Sequence, residues 1–279
     1  MNWLIIYIQI IAACVAIPVV VSFALAWYEA ANADPRLLDE RFTPQRLWLA
    51  VTLMVQEYLC LLICVLSQPI GWFRPLNPAS RPHRDTPVIL LHGLFQNHAC
   101  WLWVRLWLRL CGFRSVHVIN LPPWRDIETL TEQVSRKVDR LRLSHDVDKV
   151  HLVGHSMGGI IARNYIRLRG GSSRVARCVL LGAPNSGSRM IPFAVTRLAR
   201  TIMPGSAFLQ RLNQSPPAAE TIVTNIYSQH DNLVLPPANA RLATATEVAL
   251  VGVGHNTLLF HPRALNAVVA ALRGQTPAG

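Results

Sequence analysis

The chain is short of lysine and of acidic residues. Of its 279 residues, 27 are Lys or Arg and 15 are Asp or Glu; Lys137 and Lys149 are the lysines, so the formal charge of +12 is carried by arginine. Such a surface attracts nucleic acid or anionic lipid. No nucleic-acid module is present, and no basic stripe interleaved with stacking aromatics, which favours lipid over nucleic acid as partner. The six cysteines form no C-x-x-C and no Cys/His cluster at ligand spacing, which argues against a bound metal or a dithiol redox centre. Cys14, Cys60 and Cys64 lie in very apolar stretches and read, like Cys100, Cys111 and Cys178, as small buried hydrophobes. Internal repeats and low-complexity tracts are also lacking.

Long apolar runs are present instead. Residues 3–27 are apolar apart from Gln9 and Ser22, longer than the ~20 residues that span a hydrocarbon core. A cleavable signal peptide is the rival, and Ala31-Asn32-Ala33 resembles a cleavage site. The missing basic n-region and the length of the run count against it. A second run, residues 47–66, is interrupted by Gln56-Glu57. A charge near mid-span costs a few kcal/mol (roughly 2.5–3.5 on insertion scales). Glu57 is therefore expected to be neutral, to face the first helix or to face the rest of the protein. The alternative is a helix lying in the interface or packed on the domain. The favoured organisation is a two-helix transmembrane hairpin within residues 1–68. The flanking arginines do not decide its orientation. Residues 69–84 are rich in Pro and Arg and read as an extended linker.

From residue 85 the pattern changes. Continuous apolar runs at Val88–Leu91, Val116–Asn120, Val150–Val153, Cys178–Leu181, Thr221–Tyr227 and Val248–Val251 read as strands. Helical patterns near His98–Cys111, Ile127–Leu143, Met157–Leu168 and Pro262–Leu272 alternate with them. Strands apolar on both sides, alternating with helices, predict an α/β fold over residues 85–273: a mostly parallel sheet of about six strands covered on both faces.

The third strand ends in Gly154-His155-Ser156-Met157-Gly158, a G-x-S-x-G in which a serine hydroxyl is exposed at a sharp strand-to-helix turn. Gly154 and Gly158 allow the tight turn and the close helix packing. A serine attacks only when a base takes its proton, and that base needs a carboxylate. Downstream of Ser156 the acids are Glu220, Asp231 and Glu247. Asp231 follows a strand, whereas Glu220 and Glu247 precede strands, at the wrong end of a parallel sheet. Of the downstream histidines, His255 follows a strand, His230 sits beside the acid and His261 precedes Pro262 at a helix start. Elimination leaves Ser156, Asp231 and His255, in the order this fold uses. His92-Gly93-Leu94 follows the first strand. The backbone N–H groups of Leu94 and Met157 are the expected oxyanion donors, with His92 and Gly93 supporting that loop and His155 packing at the turn.

These motifs, with Trp101, Gly112-Phe113, the run Leu181-Gly182-Ala183-Pro184-Asn185-Ser186-Gly187-Ser188, Asp231-Asn232-Leu233-Val234-Leu235-Pro236 and Gly254-His255-Asn256-Thr257-Leu258-Leu259, give the chain a resemblance to bacterial lipases and esterases of the α/β-hydrolase superfamily. The resemblance covers roughly residues 87–272. It implies hydrolysis of carboxylic esters, with a lipid or small ester as substrate and no cofactor. The N-terminal hairpin departs from the secreted lipases of that branch. Two other readings stay open: acyl transfer to an alcohol through the same residues, and an idle fold used as a membrane interaction module. Residues 190–212 alternate apolar and cationic side chains and sit where such enzymes carry a lid, here bounded at 187–214; an ordinary amphipathic helix over the core has the same pattern.

Overall fold

Two apolar helices open the chain and pack on each other. The computed structural model describes residues 3–39, 42–73, 85–215 and 219–276. Helix α1 spans Trp3–Ala33, 31 residues, or about 46 Å at 1.5 Å per residue. A short 3-10 turn, Pro35–Leu38, begins at Asp34, whose carboxylate accepts from the Arg36 amide. Helix α2 spans Pro44–Ser67, with Pro44 in the first turn, where its missing N–H costs nothing. By length and composition both helices could cross a membrane. Most of the linker reading over 69–84 lies outside the described residues; Gln68–Trp72 forms a 3-10 turn.

Helix α2 has two unlike faces. Leu53, Glu57, Cys60 and Cys64 recur at helical spacing and are buried. Trp48, Val51, Val55, Leu59, Ile63 and Leu66 remain exposed. The buried face lies against the α/β domain, so Glu57 faces that domain.

The sequence-predicted sheet is present. Strands β1 (Val88–Leu91), β2 (Val116–Ile119), β3 (Val150–His155), β4 (Val175–Leu181), β5 (Ile222–Ser228) and β6 (Thr246–Leu250) form one sheet, in the order β2-β1-β3-β4-β5-β6. Every neighbouring pair is parallel. Strand β1 shows why its run is continuously apolar: Ile89 and Leu91 join the core on one face, Val88 and Leu90 the core on the other. Helices α4 (Ile127–His145) and α5 (Met157–Leu168) contribute to the first core, α3 (Leu102–Leu110) and α8 (Pro262–Arg273) to the second. The order reverses between β1 and β3, so the crossovers leave on opposite faces there and a crevice opens beyond their C-terminal ends. Strand β3 extends to His155, two residues past its apolar pattern, because Gly154 and His155 still pair with Leu180 and Leu181 of β4.

Candidate active site

Ser156 sits at that crevice, between the end of β3 and the first turn of α5. Its φ of 53° and ψ of −122° are a backbone conformation that non-glycine residues avoid; such strain costs about 1–3 kcal/mol. It is imposed by close packing under the turn. A Cβ on Gly158 would lie 2.1 Å from the Leu91 carbonyl oxygen, and one on Gly154 2.5 Å from that of Gly158. The result is a half-buried serine at the C-terminal edge of the sheet.

The acid and base predicted from sequence meet. Asp231 follows β5 and is fully buried. Its Oδ1 accepts from the amides of Leu233 and Val234, both at 2.8 Å. Its Oδ2 faces His255 Nδ1 at 2.8 Å. A carboxylate only accepts, so Nδ1 carries the proton and Nε2 is left as the basic nitrogen. Burial alone would lower the His255 pKa; the charge and hydrogen bond of Asp231 and the charge of Glu57 outweigh it and raise the pKa above 6.5. The His255 ring packs against that of His155, centroids 4.8 Å apart, which brings it beside the turn that bears Ser156. Among the described residues, the Ser156 hydroxyl makes no hydrogen bond to His255. Such bonds are often long without substrate and tighten around it.

The loop after β1 is fixed by His92. Nδ1 donates to the Gly93 carbonyl at 2.8 Å, and Nε2 accepts from the Leu121 amide at 2.8 Å. Burial pushes its pKa down to about 4, so it stays neutral and holds both bonds. Gln96 accepts from the Gly93 amide and donates to Asn256 Oδ1. The Leu94 amide finds no acceptor among the described residues, and Met157 begins α5, where first-turn amides lack partners. His155 is buried between Trp101 and His255, and burial lowers its pKa far below 6.5.

The remaining candidates are engaged elsewhere. His230 Nδ1 accepts from the Gly252 amide, and His261 Nδ1 caps α8 through the Arg263 amide. Glu220 pairs with Lys149, and Glu247 with Arg241. Asn185, in the motif after β4, holds its loop down: its amide donates to Asn225 Oδ1 and the Ala240 carbonyl, and buried Arg163 donates to its Oδ1. The segment 190–212 contains helix α6 (Arg197–Arg200) and most of α7 (Ala207–Gln214). Its Ile191, Leu198, Ile202, Phe208, Leu209 and Leu212 lie in the core, while Phe193 and Val195 are exposed. Among the described residues no group of three His, Cys, Asp or Glu side chains could hold a metal ion.

Sequence reasoning missed the part played by the two N-terminal helices. Asn232, beside Asp231, accepts from the His255 amide at 3.0 Å and donates to Ser22 of α1 at 2.8 Å. Glu57 of α2 accepts four bonds: from the amide and side chain of Asn256 at 2.8 Å each, and from the amide and hydroxyl of Thr257 at 2.9 and 2.8 Å. Four donors offset the cost of burying a carboxylate. Gln68 donates to the Phe95 carbonyl and accepts from Asn97, bracing the loop after β1. The one signal for this in the sequence was the charge inside an apolar run, which marks a functional position by default.

Residues 88–222 match the alpha/beta hydrolase family, a stretch that includes Ser156 and stops short of Asp231 and His255. The chain is similar to a triacylglycerol lipase of Pseudomonas fragi, 28% identical over 145 residues, which cover 47% of this chain and 48% of that one. It is also similar to methylesterase 4 of Arabidopsis thaliana, 32% identical over 122 residues, 41% of this chain and 46% of the relative. The chain thus spans about half the length of these relatives. Among solved structures, the mature form of the Bacillus licheniformis lipase BlEst2 superposes with a TM-score of 0.57 at 18% identity, over 66% of this chain and 90% of the other. Lipase B of Aspergillus fumigatus gives 0.59 at 17% identity, over 74% and 56%. At such identities the likeness is one of fold.

Proposed function

This chain belongs to the α/β-hydrolase superfamily, and on that premise we propose that it is a membrane-associated serine hydrolase cleaving carboxylic esters of acyl lipids. Ser156 is the nucleophile, His255 the base and Asp231 the carboxylate that orients it. The reading is carried by one observation: a buried Asp231–His255 pair, 2.8 Å apart, beside the strained turn that presents Ser156.

The chemistry follows from the side chains. As the Ser156 oxygen bonds to the ester carbonyl carbon, its proton passes to His255 Nε2. Negative charge moves to the carbonyl oxygen, where the Leu94 and Met157 amides receive it. Collapse breaks the ester C–O bond, and His255 returns the proton to the leaving alcohol. Water, deprotonated by His255, then releases the acid and restores Ser156.

Support for an acyl lipid comes from the surroundings. The exposed faces of α1 and α2 are apolar. An apolar cavity of about 540 Å³ opens between them and the loop bearing His230 and Asp231, lined among others by Phe23, Trp27, Leu47 and Leu53. Its apolar lining suits an acyl chain, and it reaches Asp231 but is bordered by neither Ser156 nor His255.

The pH profile tests the base. Only neutral His255 accepts the serine proton, and its pKa is raised above 6.5. Full-length protein in detergent micelles should therefore show kcat/KM for a soluble nitrophenyl ester rising with pH through an inflection above 6.5. A profile flat from about pH 5 to 8 would remove a histidine base from the mechanism.

A further inference from the structure

We infer that Glu57 is a positioning residue for the base: the carboxylate of α2 fixes the backbone that carries His255, so turnover depends on the helix hairpin being seated on the domain. This rests on the reading of His255 as the base.

The geometry is specific. The peptide unit joining His255 to Asn256 is held from both sides. Its carbonyl, on His255, lies 3.2 Å from His155 Nε2, and its N–H, on Asn256, donates to Glu57 Oε1 at 2.8 Å. A peptide unit is planar, so gripping both ends fixes the backbone torsion that aims the imidazole. The next amide, Thr257, donates to the other carboxylate oxygen, and both side chains add a bond each. The His255 amide is tied through Asn232 to Ser22 of α1. The two helices of the hairpin therefore brace the backbone on either side of the His255 Cα: α2 directly, at the Asn256 amide, and α1 through Asn232, at the His255 amide.

The grip also reaches the oxyanion loop. Asn256 donates to Glu57 and accepts from Gln96, whose oxygen holds the Gly93 amide. One carboxylate thus stands behind the base and, through two amides, behind the loop that carries Leu94. Charge adds to geometry, because an anion beside a buried imidazole favours its protonated form.

A glutamine at position 57 keeps the shape and one acceptor oxygen, but turns an NH2 toward one backbone amide and one side-chain donor and removes the charge. In full-length protein in detergent micelles, Glu57→Gln is expected to lower kcat for a soluble nitrophenyl ester about 10-fold or more, with KM within about 2-fold. The inflection of kcat/KM should move to lower pH, since the imidazolium loses a stabilising anion. Wild-type kcat and inflection would overturn the inference. So would a loss of kcat with an unmoved inflection, which marks Glu57 as a clamp that holds the helix and nothing more. Should Glu57→Gln fail to fold, Thr257→Val removes one of the four bonds and leaves the charge. It is expected to lower kcat several-fold with KM within about 2-fold, and either wild-type kcat or a loss carried by KM would overturn the inference. Ser156→Ala in the same micelles separates the two levels. Activity surviving that change sinks Ser156 as the nucleophile and with it the mechanism on which the inference rests, whereas an inert Ser156→Ala beside an unaltered Glu57→Gln sinks the role of Glu57 alone.

Discussion

Replacing Ser156 by alanine is expected to lower kcat/KM for a carboxylic ester by roughly 10⁴-fold or more while leaving the fold in place. The expectation follows from what the side chain does. No acyl-enzyme forms without the Ser156 oxygen, and direct attack by water must replace it. What survives is the contribution of the Leu94 and Met157 amides and of substrate binding, which alone gives about 10³–10⁴ over the uncatalysed rate. Alanine tolerates the backbone no worse than serine does, and the hydroxyl makes no hydrogen bond to His255 among the described residues, so the melting temperature should hardly change. Steady-state hydrolysis of a nitrophenyl ester, with a thermal melt on the same preparation, reads both. A variant that folds and retains more than about a tenth of the wild-type rate would mean that Ser156 is not the nucleophile.

Asp231→Asn should cost about as much, near 10⁴-fold in kcat, for a different reason. Oδ1 of Asp231 accepts from two backbone amides and Oδ2 from His255. Asparagine keeps its oxygen toward the two amides, because the opposite choice would set an NH2 against two N–H donors. Its NH2 then faces His255 Nδ1, which must become an acceptor. The ring proton moves to Nε2, and the nitrogen proposed to take the Ser156 proton can no longer do so. The imidazolium also loses its anion, so the inflection of the residual activity should fall. Rate measurements from about pH 5 to 10 separate this variant from a misfolded one, because a wrong tautomer leaves substrate binding intact. Full wild-type kcat in Asp231→Asn would remove Asp231 from the mechanism.

Much of this site is legible in the sequence because the fold writes it locally. An apolar run on both faces of a strand has a distinctive pattern, and in a parallel sheet every strand delivers its next residues to one edge. Asp231 and His255 could therefore be picked out by standing just past strands, and they lie 2.8 Å apart although 24 positions separate them. Strand ends were less visible. His155 belongs to β3 through its pairing with β4, and its polar side chain hides that.

The hairpin was legible as two apolar helices and illegible as part of the site. Glu57 meets Asn256 and Thr257 across about 200 residues, and nothing in the period of α2 says which neighbour receives its charge. Ser22 and Asn232 are equally silent: a serine in an apolar helix bonds its own backbone as readily as a distant asparagine. The segment 190–212 shows the converse. Its apolar and cationic alternation fits a lid and a core helix alike, and its main apolar side chains pack into the core. Pattern gives the face of an element, while the partner of that face is a tertiary fact.

One measurement bears most directly on Ser156. The 279-residue chain in detergent micelles, treated with a fluorophosphonate and digested, should carry a single phosphonyl adduct, on Ser156, because an activated serine beside two oxyanion donors is what such a probe captures. The adduct should vanish in His255→Ala. An adduct on another residue, or none on protein that still melts cooperatively, would contradict Ser156 as the nucleophile.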